Sequence, residues 1–205
     1  MTGKDESWPA KCSNPIDLTV LADYWLAALQ SSDEEAVEEH LFECDKCGER
    51  LRELIGLAEG VRELARSGSL RMIVSEAFLK SAADDGLRIR QYASAVGGSV
   101  ECTVTAEDDI LIGRLAANLG DIKRIDLCIC NDAGIEQDRL RDIPFHPGTT
   151  SVICQESITL AKAAPTNRLI YRLVSVDETG SDHPIGEYTF NHTRSLPGPG
   201  EWLRR

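Results

Sequence analysis

The chain of 205 residues is 42% hydrophobic and 27% charged, a balance that suits one large or two small globular domains and sets disorder aside. Its 22 Lys and Arg against 34 Asp and Glu give a net charge of -12, which repels phosphate backbones and argues against nucleic acid as the main partner, whereas a basic protein partner fits better. No stretch approaches the roughly 20 apolar residues that span a bilayer, and residues 1–11 lack the apolar core of a secretory signal, so the chain is expected to be cytoplasmic, without a membrane anchor or structural disulfides.

Asn14, Pro15 and Asp17 read as the N-cap, first position and first turn of a helix whose apolar stripe is Leu18, Leu21, Ala22, Trp25 and Leu29. A second helix is expected from Ser32, where Ser32 and Glu35 have capping-box spacing, through Ala36, Val37, His40 and Leu41. Its outer face carries Asp33, Glu34, Glu35, Glu38, Glu39 and Glu43, a run that is either a solvated surface or a patch that steers a basic partner. A third follows Cys47, with Leu51, Leu54, Ile55, Ala58, Val61 and Ala65 on one side, and stops near Ser67-Gly68-Ser69. Beyond that joint Leu70, Ile73, Val74, Ala77 and Phe78 fall at i, i+3, i+4, i+7 and i+8, which predicts a fourth, amphipathic helix.

After Asp84-Asp85-Gly86 the period changes to two. Val100, Cys102, Val104 and Ala106 alternate with polar residues, and Ile125, Leu127 and Ile129 line one face of a strand whose other face carries Cys128 and Cys130, so that strand is expected to be central and covered on both sides. Further strands are read at residues 169–176 and 185–190, with turns at Asp132-Ala133-Gly134 and Asp177-Glu178-Thr179-Gly180. Together they suggest an antiparallel β-sandwich of about seven short strands. Cys102, Cys128, Cys130 and Cys154 are read as buried packing, since same-face neighbours on one strand are too far apart to bridge well. His146-Pro147 and His183-Pro184 read as turns, and the tail from Arg194 as frayed. The fold class is therefore α+β multidomain: a helical bundle over 8–66, a joint and partner-binding helix over 67–86, a β-sandwich of unknown ligand over 87–193 and a tail over 194–205.

The chemistry lies in H-x3-C-x2-C, at His40, Cys44 and Cys47. One helical turn separates His40 from Cys44, and the two residues after Cys44 let Cys47 fold back, so three ligands converge. Zinc prefers four nitrogen and sulfur ligands in a tetrahedron, and Cys12 is the remaining cysteine of the helical half. The expected metal site is thus Cys12, His40, Cys44 and Cys47 around Zn2+; the plainer reading is three buried thiols and a satisfied histidine. Four protein ligands leave no open position for catalysis, and no nucleophile-and-base pair, G-x-S-x-G, phosphate loop or dinucleotide fingerprint is present, so the chain is not expected to be an enzyme.

With Cys12 standing 28 positions before His40, and Glu39-His40-Leu41 directly before the cysteines, residues 8–83 resemble the zinc-containing anti-sigma factors. The resemblance implies a three-helix zinc-stabilised bundle with a fourth helix on a joint. It also implies a partner, an extracytoplasmic-function sigma factor, which such helices sequester so that it cannot dock on RNA polymerase. Many relatives carry a transmembrane helix after this module; none is present here, so the signal is expected to be intracellular or relayed by a soluble partner. The strand-rich half matches nothing in the signature. Partner-binding residues are expected at Leu70, Ile73, Val74, Ala77 and Phe78, which suit a groove on another protein, and at Trp25; the plainer alternative packs the fourth helix on its own bundle or sandwich. A second functional reading makes the zinc thiolates a redox sensor, in which oxidation expels the metal and releases the partner.

Overall fold

The computed structural model describes residues 12–120, 122–146 and 148–197, so the first residues assigned to the helical bundle, 8–11, and most of the predicted tail lie outside the described residues. The chain divides into two compact units, Met1–Glu63 and Leu64–Arg205. The division precedes the expected joint at 67.

The first unit is helical. It holds α1 (Leu18–Trp25), α2 (Ser31–Glu43) and most of α3 (Asp45–Arg66). Asp17, expected in the first turn of α1, instead caps it: its Oδ1 accepts from the Thr19 N–H at 2.8 Å. The carboxylate satisfies an otherwise orphaned N–H. Similarly, α2 starts one residue before the predicted capping box, at Gln30 as cap and with no side-chain cap bond; Ser32 and Glu35 lie inside the helix. The buried hydrophobic residues among those described in this unit are Leu21, Val37 and Cys47, a small core.

The second unit carries nine strands and two helices among the described residues. The strands are β1 (Met72–Ile73), β2 (Ile89–Ser94), β3 (Ser99–Cys102), β4 (Ile110–Ala116), β5 (Ile125–Cys130), β6 (Glu136–Leu140), β7 (Ser151–Glu156), β8 (Asn167–Val176) and β9 (Asp182–His192). The helices are α4 (Glu76–Asp84) and α5 (Ile158–Ala163). One sheet runs β1-β7-β4-β2 and the other β3-β9-β8-β5-β6. The pairs β2/β4 and β3/β9 are parallel, so the expected purely antiparallel arrangement of seven strands is replaced by a mixed one of nine. The main hydrophobic core draws Leu115, Val152 and Cys154 from the first sheet and Ile125, Leu127, Tyr171 and Phe190 from the second. As its sequence predicted, β5 is paired on both edges and buried along its length, with Cys128, Cys130 and Val174 in a separate apolar cluster.

The segment predicted as a fourth helix from Leu70 is divided differently. Ile73 lies in β1 and pairs with Cys154 on β7, and the Val74 N–H donates to the Ile153 carbonyl at 3.0 Å. The β-branched pair Ile73-Val74 favours extended backbone, and Ser75 then caps α4 by accepting from the Phe78 N–H at 3.2 Å. Val74 and Phe78 pack with Leu79 and Ala82 on Ile110, Ile112 and Ile153, while Ala77 is exposed. Ile73, Val74 and Phe78 of the apolar stripe are therefore engaged by the unit's own sheet, as the plainer expectation has it, and Ala77 is not. Two smaller corrections follow. His183 lies within β9, its Nε2 at 2.8 Å from Asp177 Oδ2. Arg194, expected to be frayed, donates to the carbonyls of Lys162 and Ala164, each at 3.0 Å, and the Ser195 hydroxyl donates to the Val104 carbonyl.

Candidate metal centre

Each ligand of the predicted cluster is placed by a specific break in the chain. His40 sits in the last turn of α2, Cys44 is the residue at which that helix ends, with φ -128° and ψ 93°, and α3 resumes at Asp45. The single non-helical residue turns the chain so that Cys47, in the first turn of α3, comes back toward His40, and the Gly48 N–H bonds to the Cys44 carbonyl at 3.1 Å. Cys12 arrives from the segment before α1. That segment is tied to α3 by Arg50, whose guanidinium donates to the Ile16 carbonyl at 2.6 Å. The sequence reading did not single out Arg50, although its place three residues after Cys47 on one helical face is a legible signal.

The ligand atoms of Cys12, His40, Cys44 and Cys47 all lie within 4.8 Å of one another. His40 Nε2 stands 3.2 Å from the Cys47 sulfur and 3.6 Å from that of Cys12, and the two sulfurs are 4.0 Å apart. Bonds of about 2.3 Å to sulfur directed to the corners of a tetrahedron put neighbouring sulfurs about 3.8 Å apart. The sulfur pair at 4.0 Å is close to that edge, and the nitrogen-to-sulfur distances are shorter, as the shorter metal–nitrogen bond requires, so the four residues could hold a tetrahedral metal ion. Among the described residues they form the one such cluster of His, Cys, Asp and Glu ligands. Cys47 is fully buried and the other three are half-buried. The Cys47 backbone N–H brings the Cys44 thiol down to about 7, while desolvation raises that of Cys12. A thiol lowered in this way is readily present as the thiolate that a metal needs.

Elsewhere in the first unit, the Tyr24 hydroxyl donates to Glu38 Oε1 at 3.4 Å, and the Arg62 guanidinium stands 5.7 Å from the ring centre of Trp25, so this predicted partner residue is half covered by its own unit. Leu18, Leu26, Phe42, Leu57 and Val61 project large apolar side chains into solvent, Phe42 at 90% exposure. Of the other predicted partner residues, Leu70, Ile73, Val74, Ala77 and Phe78 belong to the second unit.

The remaining cysteines are free thiols. Burial pushes Cys102 up to about 11 and Cys128 up to about 12, and raises Cys130 and Cys154, which agrees with a packing role. No helix among the described residues is long and apolar enough to cross a membrane. No protein-family model matches the chain, and no curated protein matches it.

Proposed function

We propose that the first unit is a zinc-stabilised anti-sigma module, and that the protein works in the cytoplasm by sequestering an extracytoplasmic-function sigma factor away from RNA polymerase. The observation that carries this reading is the convergence of Cys12, His40, Cys44 and Cys47 on a helical unit with a very small apolar core. Three thiolates and one imidazole in a tetrahedron favour zinc over calcium or magnesium, which take oxygen ligands. A four-ligand site supports structure rather than catalysis. In the second unit the shared core supports a two-sheet sandwich.

The binding surface is assigned to the first unit, because the larger side chains Ile73, Val74 and Phe78 are engaged by their own sheet. The exposed Leu18, Leu26, Phe42, Leu57 and Val61 supply the apolar contacts that a helix-binding partner buries. The test is co-expression of the full-length protein with each extracytoplasmic-function sigma factor of its source organism, followed by size-exclusion chromatography with zinc present. A stable one-to-one complex that no longer engages RNA polymerase core enzyme is expected. Absence of a complex with every such sigma factor, from a zinc-loaded and folded protein, refutes the reading.

A further inference from the structure

The second unit contains a partly enclosed cavity of about 120 Å³, lined by residues of both sheets and of α5. Most of its wall is aliphatic or aromatic, with Tyr92, Leu115, Leu160 and Phe190 among the lining residues. Gly113 leaves a recess in this wall: a Cβ there would meet only the Phe190 ring tip, at 3.7 Å, and the Cys154 carbonyl, at 3.9 Å.

Two polar atoms on this wall have no partner. Among the described residues, the buried side-chain atoms without a hydrogen bond are Gln155 Oε1, Asn167 Oδ1 and His192 Nε2. The last two line the cavity and are directly opposite each other in the β8/β9 ladder. His192 is 7% exposed, so bulk water does not compensate it. An orphaned buried polar atom is costly, and two facing the same space point to a group that fills it. Cys102 continues the row, opposite His192 on β3. A thiol held near 11 by burial, with His192 Nε2 bonded to nothing, is no activated nucleophile. The charged residues on the wall, Arg71 and Glu156, pair with each other at 2.9 Å, so no unbalanced charge awaits an ionic ligand.

We propose that this cavity binds a small, uncharged, largely apolar molecule of about the size of phenol, whose single hydroxyl is held between Asn167 and His192. The volume is close to that of a cavity of about 150 Å³ that admits benzene. A hydroxyl both donates and accepts, so it donates its one proton to the Asn167 carbonyl oxygen and accepts from His192 Nε2–H, in the tautomer that carries the proton on Nε2. This inference stands whether or not the metal centre serves the role proposed for it.

The experiment is an NMR titration of the isotope-labelled, zinc-loaded full-length protein with phenol, and in parallel with toluene. Phenol is expected to give saturable shifts of amides on β8 and β9. Asn167→Leu should weaken phenol binding about tenfold, the worth of one buried hydrogen bond, and leave toluene binding within about twofold. Ala161→Leu, which adds volume on the α5 wall, should abolish binding of both without lowering the melting temperature; it carries the test if the Asn167 variant does not fold. No saturable shift up to roughly 10 mM phenol, a range that covers weak sites, would overturn the proposal. So would ordered water bridging Asn167 and His192 that phenol does not displace, since the atoms would then be satisfied by solvent.

Discussion

Stripping the metal from the full-length protein is expected to unfold α1 to α3 and leave the second unit standing. Leu21 and Val37 are the buried aliphatic side chains among the described residues of the first unit, and together they contribute about 3 to 6 kcal/mol. A structural zinc supplies about 10 to 16 kcal/mol in finger peptides, so the metal outweighs that core. Helices α1, α2 and α3 have 8, 13 and 22 residues, against 9 and 6 in α4 and α5. Chelation should therefore remove roughly three quarters of the helical circular-dichroism signal, because an apo chain has no other glue of that size. The Cys47→Ser variant should reproduce the loss, since it removes one ligand from the buried centre of the cluster, whereas Cys102→Ser should not. The assay is far-ultraviolet dichroism with zinc released into a chromophoric chelator, followed by a thermal melt of the stripped sample. Metal-free protein that keeps its helicity and melts with the holoprotein would refute the reasoning.

Three further outcomes follow from the same geometry. Burial and the Arg194 guanidinium hold the His192 imidazole below its ordinary 6.5; below that pH the unfolded chain binds a proton that the folded chain does not, so the second unit should lose stability as pH falls through 6.5. Urea midpoints at about pH 7.5 and 5.5 check this, and an equal acid loss in His192→Gln would count against it. Gln155 donates to the carbonyls of Ala65 at 2.9 Å and Leu70 at 3.1 Å, so Gln155→Leu should cost about 2 kcal/mol, read by chemical denaturation. Phe42→Asp combined with Leu57→Asp alters only exposed side chains; it should leave the melting temperature unchanged and weaken sigma-factor binding at least roughly tenfold, measured by calorimetry.

The first unit was largely legible because its signals are local. Periodicity placed its helices to within a few residues, and the spacing of His40, Cys44 and Cys47 identified the cluster that the fold closes with Cys12. Where the reading slipped, a tertiary partner decided. Residues 70–78 have helical spacing, but the edge of β7 was available to Ile73, and a ladder bond outweighs a weak helical preference. In β4, Gly113 and Arg114 interrupt the apolar pattern, and in β7 the residues from Val152 to Gln155 are buried on both faces, so neither strand shows the alternation by which a half-buried strand is recognised. The sequence Glu136–Leu140 of β6 is mostly polar; it is a strand because the turn at Asn131, whose Oδ1 accepts from the N–H groups of Ala133 and Ile135, returns it to β5. The Asn167 and His192 pair was invisible for a related reason, since 24 residues of hairpin separate two side chains that only the β8/β9 register brings together.

The division of cysteines between the units follows from how each is held together. In the second unit a continuous core is built by aliphatic and aromatic side chains from both sheets; Cys154 enters it, and Cys128 and Cys130 enter the smaller cluster with Val174, as small apolar groups whose burial keeps the thiol protonated. A metal ion would gain little there, because each ligand would first have to surrender a proton in a medium that disfavours the thiolate. In the first unit the balance is reversed. The core is too small to hold α1 against α2 and α3, three of the four ligand residues are half-buried, and the break at Cys44 costs one helical residue while turning Cys47 back toward His40. A ligand cluster at that break joins the end of α2, the start of α3 and the segment before α1 at one point. An ion held there would crosslink three chain segments of a unit whose buried hydrophobic residues, among those described, are Leu21, Val37 and Cys47, which is where a crosslink contributes most to folding.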